Sequence, residues 1–133
     1  MGNEDLAAAQ TAFYDALDAV FRGDPEPMRA LWSHADDVTQ MGPMGDLAVG
    51  WSTIEAGWVA QAKVVESGTV RPYDVHLFAS GDLGAAVGRE RGHVVIGGAR
   101  SEVAARATNL FRRENGAWRL IGHHVDPHVP EHA

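Results

Sequence analysis

Cysteine is absent from the chain, and lysine occurs once, as Lys63. The first absence excludes disulfides, thiolate zinc sites and thiol nucleophiles, and leaves the redox compartment open. The second, beside a net charge of −7, disfavours nucleic acid and anionic membranes as partners, since both are held by concentrated positive charge. No apolar run approaches the roughly 20 residues of a membrane span. No basic and then apolar leader opens the sequence, and Met1-Gly2 lacks the Ser or Thr that a myristoylation start requires at position 6, which is Leu6. These absences predict a cytoplasmic protein without membrane contact.

What is present is a chain of 133 residues, 45% hydrophobic, with no repeat, linker or low-complexity stretch. One domain over 1–133 is expected, large enough to bury roughly two-thirds of its unfolded surface. Most arginines fall after residue 70, on predicted strands, where a guanidinium could meet an anionic ligand.

Residues 4–22 read as an amphipathic helix: Leu6, Phe13, Leu17, Val20 and Phe21 fall on one stripe, Ala9 and Ala16 flank it, and Tyr14 sits at its edge. Gly23 ends this helix, and Asp24-Pro25 starts a short second one that buries Met28, Leu31 and Trp32 and stops near His34. A brief strand follows over 37–42. Ser52-Thr-Ile-Glu55 has capping-box spacing, which predicts a third helix from there to about Glu66 with Ile54, Trp58, Ala62 and Val65 inward.

The rest reads as strands: 69–79, a turn at 80–82, 83–95, a turn at Gly97-Gly98, and a hairpin over 104–126 that reverses at Asn115-Gly116, a dipeptide tolerant of positive φ. Alternation puts Ala105, Ala107, Asn109 and Phe111 on one side of the first hairpin strand. On the second it sets Arg119, Ile121, His123 and Val125 against Trp118, Leu120, Gly122, His124 and Asp126. Neither face is simply polar, so both are expected to be covered, one by the helices and the other by a second subunit. Helices followed by an antiparallel meander make an α+β domain. A sheet of this size is strongly twisted, so the first helix can lie across it and leave a blind hollow.

The order α-α-β-α-β-β-β-β, with Phe13-Tyr14, Arg22-Gly-Asp24, Ala35-Asp-Asp-Val38 and the run Phe-Arg-Arg-Glu-Asn-Gly-Ala-Trp-Arg-Leu-Ile-Gly-His-His that ends at His124, resembles the nuclear transport factor two-like superfamily. More narrowly it resembles the bacterial SnoaL-like and ketosteroid-isomerase-like proteins. The resemblance implies a cone-shaped, cystatin-like fold, three N-terminal helices packed on a strongly curved, mixed but mostly antiparallel sheet. It is specific for fold and weak for chemistry, because this scaffold carries isomerases, cyclases, dehydratases, epoxide hydrolases and non-catalytic association domains. The isomerase family's base, an aspartate just before a proline, falls here on Gly42, which accepts no proton. Its oxyanion-hole tyrosine falls near Ala16, with Tyr14 half a turn earlier, and its second oxyanion acid falls on Asn109. The kinase-association domains of the same superfamily carry arginines in their pocket, and Arg89 lies near one such position, with Arg91 on its face.

His123 is the candidate pocket residue on the last strand, with a histidine bonded within the core or interface as its structural alternative. With Asn109 and Tyr14 it is expected to form a polar group at the base of an apolar cavity lined by Trp32, Trp58 and Phe111. Arg89 would reach a ligand carboxylate if it projects inward, whereas an exposed salt-bridged face is the plainer reading of Arg89-Glu90-Arg91. Gly42, Pro43, Met44 and Gly45 would form the rim, where a mobile loop could admit a ligand, although a simple tight connection is the plainer reading. His123, His124, His128 and His132, with Asp126 and Glu131, invite a metal reading, but Pro127 interrupts the strand and a third ligand would have to come from elsewhere, so neither metal nor cofactor is expected.

Two functions follow. Gly42 in place of the basic aspartate tilts the reading towards a module that binds a small apolar or carboxylate metabolite, or dimerises, without catalysis. The alternative is a small acid–base enzyme, an isomerase, lyase, cyclase or hydrolase, acting on an apolar oxygenated metabolite with His123 as acid or base. A homodimer through the sheet is expected in either case.

Overall fold

In a computed structural model that describes residues 3–42 and 45–128, periodic apolar spacing builds the helices. Helix α1 (Glu4–Phe21) turns Leu6, Gln10, Phe13, Tyr14, Leu17, Val20 and Phe21 inward, and Glu4 and Asp5 in its first turn suit the positive end of the helix dipole. Gly23, at φ 91°, breaks it. The Asp24 carboxylate accepts the Glu26 amide at 3.1 Å, and α2 (Glu26–Leu31) follows.

Helix α3 (Trp51–Val64) departs from the expected start. It begins after Gly50, at φ 90°, with no side-chain cap, so Ser52 lies inside its first turn. Glu55 is committed elsewhere, accepting Arg29 Nε of α2 at 2.8 Å. The buried Trp51 ring stacks on His34 at 4.5 Å and anchors the helix one residue early.

Six strands complete the chain: β1 (Thr39–Met41), β2 (Leu47–Val49), β3 (Ser67–Ser80), β4 (Leu83–Ile96), β5 (Ala99–Glu114) and β6 (Ala117–Pro127). They form one mixed, open sheet in the order β2-β1-β6-β5-β4-β3, antiparallel throughout except for the parallel pair β1–β6. Strand β2 went unpredicted because three residues show no alternation; it exists by pairing with β1. The architecture is the expected α+β class, helices on a mixed sheet.

Glycine permits the tight curl of this sheet. A Cβ on Gly92 would stand 1.9 Å from the Thr69 carbonyl oxygen, and one on Gly88 2.7 Å from that of Asp74, so β3 folds against β4 more closely than any side chain allows. Between Tyr73 and His76 the β3 register shifts, with Asp74 at φ 52°. Helix α1 is fastened to β3 through Asp18, which accepts Thr69 Oγ1 at 3.0 Å and the Val70 amide at 3.2 Å, while Arg71 pairs with Asp15 and Asp18.

One irregularity corrects the expected alternation of the last hairpin. Leu110 pairs with Gly122 but Phe111 with Leu120, which leaves Ile121 as an extra residue. On the helix-facing side, Trp118 and Leu120 are therefore joined not by Gly122 and His124 but by His123 and Val125 beyond the bulge. The closed end behind them is packed solid: Phe13, Tyr14, Trp32, Phe111 and Leu120 are all fully buried.

Candidate functional site

Past this packed end, the space between α1, α3 and the sheet opens into a cavity of about 570 Å³. Its walls are mostly apolar, among them Leu17 and Phe21 of α1, Trp58 of α3, and Val70, Val94 and Val103 of the sheet. Three buried or half-buried polar side chains interrupt them: Gln40 of β1, Glu90 of β4 and His123 of β6. Gly42 lies at its edge as expected of the rim; Pro43 and Met44 lie outside the described residues, and Gly45 is exposed.

Glu90 and His123 are each held by buried partners behind the wall. Tyr14 Oη donates to Glu90 Oε2 at 2.7 Å. Asn109 Nδ2 donates to Gln10 Oε1 at 2.9 Å, which leaves Oδ1 of the same amide facing His123 Nδ1 at 2.6 Å. An amide oxygen only accepts, so Nδ1 carries the proton and Nε2 of the neutral ring keeps a lone pair. Phe13, with its ring centroid 4.6 Å from that of His123, and Trp58 at 6.4 Å hold the imidazole in place.

Burial sets the ionisation of all three titrating groups. His123, 6% exposed, is pushed down to about 3 by desolvation, with the neighbouring His124 adding to the effect. Glu90, 5% exposed, is raised by desolvation, and the Tyr14 hydrogen bond pulls it partly back. Tyr14 is held far above the ordinary phenol range by burial, then by the charge of Glu90 and by its bond to it, with Asn109 acting in the opposite direction. No cation offsets the Glu90 carboxyl within hydrogen-bonding reach among the described residues. The Glu90 carboxyl therefore holds its proton more tightly than an exposed one, while His123 is an acceptor that stays neutral at physiological pH.

The expected site residues divide. Tyr14, Asn109 and His123 do come together, although only His123 and Trp58 line the cavity; Tyr14 and Asn109 stand behind its wall. Trp32 and Phe111 are placed differently from expectation and fill the closed end. Arg89 also departs from it: the side chain points to the outer face of the sheet, where it meets Asp74 at 3.3 Å, because Glu90 takes the inward position on β4. Arg91 lies over the Tyr73 ring. His124 is on the outer side with Thr39 Oγ1 2.8 Å away, and Asp126, which lines the same outer groove, pairs with Arg106. Among the described residues no three His, Asp or Glu side chains converge on a metal position, and Glu131 and His132 lie outside them.

Glu90, Gln10 and Gln40 were missed. Gln10 was legible as a polar residue on the apolar stripe of α1, and Glu90 as the partner in alternation of Ala86, Gly88 and Gly92. Gln40 carried no signal.

No curated protein matches the chain in sequence. Among solved structures, a candidate dehydratase of the NTF2-like family from Streptomyces avermitilis superposes with a TM-score of 0.84 at 26% identity, covering 96% of both chains. A candidate calcium/calmodulin-dependent protein kinase type II association domain from Thiobacillus denitrificans does so at 0.74 and 27%, over 92% of this chain and 94% of that one. A protein with a cystatin-like fold from Caulobacter vibrioides matches at 0.80 and 18%, over 98% and 92%, and speaks for the fold alone. No described helix is long and apolar enough to cross a membrane. Residues 7–129 match the SnoaL-like domain, and with nearly the whole chain inside that match, the protein belongs to the SnoaL-like family of NTF2-like folds.

Proposed function

We propose that this chain is a small acid–base enzyme that acts on an apolar, oxygenated metabolite held in the cavity between α1, α3 and the sheet. The observation that carries the reading is Glu90: a carboxyl 5% exposed, bonded to Tyr14 at 2.7 Å and set in a largely apolar cavity wall without a cation. Such a group costs folding free energy, and a carboxyl whose proton affinity is raised by its site is suited to take a proton from carbon near neutral pH and return it. Glu90 is the proton carrier in this reading, Tyr14 sets its affinity, and His123 Nε2 orients a ligand hydroxyl. Proton abstraction of this kind begins both dehydration and isomerisation, and the Streptomyces neighbour at 26% identity, a candidate dehydratase, favours the former.

Native mass spectrometry of the purified chain would identify a co-purified ligand for turnover assays. The expected result is conversion by the wild type and a loss of about a hundredfold or more in Glu90→Gln. A ligand returned unchanged, or Glu90→Gln turning over at the wild-type rate, overturns the reading. The non-catalytic alternative retains two supports: Gly42 stands where the isomerase pattern has its aspartate, and the neighbour from Thiobacillus is a candidate association domain.

We further infer that a second copy of the chain covers the outer face of the sheet. Met41 and Val87 are 39% and 40% exposed there, in a groove that Arg89–Asp74 and Arg106–Asp126 flank with both signs of charge, which suits a self-complementary contact. Light scattering should give twice the chain mass; a value of 14.3 kDa would rule the dimer out.

A further inference from the structure

The cavity described above also states what it can hold. Its unpaired polar atoms are not evenly divided. Gln40 Oε1 is buried without a hydrogen-bond partner, and His123 Nε2 presents a bare lone pair; both only accept. The two residues are directly paired across the parallel strands β1 and β6, so their side chains lie next to each other on the same side of the sheet. Trp58 of α3 also lines the cavity, 2% exposed, with its ring centroid 6.4 Å from that of His123. Buried polar atoms left unpaired are costly, so a ligand that satisfies them gains what the empty wall forgoes.

Charge limits the choice further. Glu90 and Glu102 line the cavity, and no arginine or lysine does among the described residues; those outside the described set include neither type. The arginines of β4 and β5 nearest the site, Arg89 and Arg106, line the groove on the other side of the sheet. An anion entering the cavity would lose its water, gain no cation and face a carboxyl.

From this we propose that the cavity takes an uncharged, hydroxyl-bearing ligand, the hydroxyl donating to His123 Nε2, and that it discriminates against carboxylates. The proposal rests on the cavity invoked for the function above but needs no turnover. It departs from the expectation of a small apolar or carboxylate metabolite, in which an inward arginine would meet the carboxylate; Arg89 lies on the outer face.

The test compares three probes of one ring system, 2-naphthol, naphthalene and 2-naphthoate, by isothermal titration calorimetry on the full chain at neutral pH. We expect 2-naphthol to bind at least tenfold more tightly than either of the others. In His123→Phe, checked for folding by circular dichroism, the advantage of 2-naphthol over naphthalene should fall to less than threefold. In Glu90→Gln the gap between 2-naphthoate and 2-naphthol should narrow. Naphthoate binding as tightly as naphthol, naphthalene equal to naphthol, or no binding of any of the three at millimolar concentration overturns the proposal. If the preference holds while Glu90→Gln retains wild-type turnover of its ligand, the acid–base reading falls and the ligand class stands; the converse result separates them the other way.

Discussion

The buried histidine makes a quantitative demand on stability. In the unfolded chain His123 takes up a proton near its ordinary pKa of 6.5, whereas in the fold burial holds it at about 3. Above 6.5 both states are neutral and the residue contributes no pH dependence. Below 6.5 the unfolded state alone binds the proton, so stability is lost as pH falls, and the loss saturates only near the folded value. Integrated from pH 6 to pH 4, this single group removes about 2 to 3 kcal/mol. Glu90 acts in the opposite sense: its raised folded pKa makes the folded state the better proton binder, so it adds stability as pH falls through that value. Paired carboxylates such as Asp37, Asp74 and Asp126, lowered by their hydrogen-bonding partners, cost stability only at the acid end of the range. A comparison of wild type with His123→Gln isolates the histidine, because glutamine can still donate to Asn109 but does not titrate. Urea unfolding followed by tryptophan fluorescence, at intervals between pH 7 and pH 4, should give wild-type and variant curves that diverge by about 2 to 3 kcal/mol. Parallel curves would mean that His123 is hydrated or charged in the fold, and the argument that its Nε2 is a bare acceptor would fail with it.

Gly92→Ala should destabilise by about 3 kcal/mol or more, read as a lowered urea midpoint, because the Cβ would fall 1.9 Å from the Thr69 oxygen and backbone must yield. Phe111→Ala, at a fully buried position in the closed end, should cost about 3 to 5 kcal/mol; a smaller loss would mean that end is not packed solid. Arg112→Ala should cost about 1 kcal/mol, a loss that shrinks in high salt, because its guanidinium joins Asp37 at 2.9 Å, Glu114 at 2.9 Å and Ser33 while remaining partly exposed. Deleting Ile121 should remove the β5–β6 register shift yet leave His123 opposite Asn109 on the inner side, because Leu120 and His123 would then be two residues apart; the expected readout is retention of the aromatic ring-current shift that Phe13 imposes on the imidazole protons, and its loss would mean that the bulge sets the histidine's side.

The legible parts of the fold were those governed by local chemistry. Asn115 and Gly116 take φ of 53° and 81°, so the dipeptide that tolerates positive φ makes the hairpin turn expected of it. The stripe on α1 and the stop at Gly23 follow from spacing alone. Ser52 and Glu55 show the limit of the same logic: a capping box satisfies donors at a helix start, but here the tertiary pairing of Glu55 with Arg29 and the seating of Trp51 against His34 decide where α3 begins.

The site failed to show itself for a reason of the same kind, one level up. Alternation along a strand divides residues into two faces but does not say which face meets the helices. In Arg89-Glu90-Arg91 the arginines outnumber the carboxyl, and the eye gives the inward place to one of them. Neighbours two residues apart resolve it: Ala86, Gly88 and Gly92 are too small to compete with α1 and β3 for space, so the face they occupy is the crowded one, and Glu90 belongs to it. On β6 even this reasoning would stop at Ile121, because a bulge has no composition that distinguishes it from an ordinary strand residue. What makes the bulge necessary is two demands on one strand: Trp118 and Leu120 must fill the closed end, and three residues beyond Leu120 an imidazole must reach Asn109 on the same side. An odd separation between two inward residues cannot be met by a regular strand, so the conflict between Leu120 and His123 is itself the sequence signal for the extra residue, readable once Asn109 is known to be the histidine's partner.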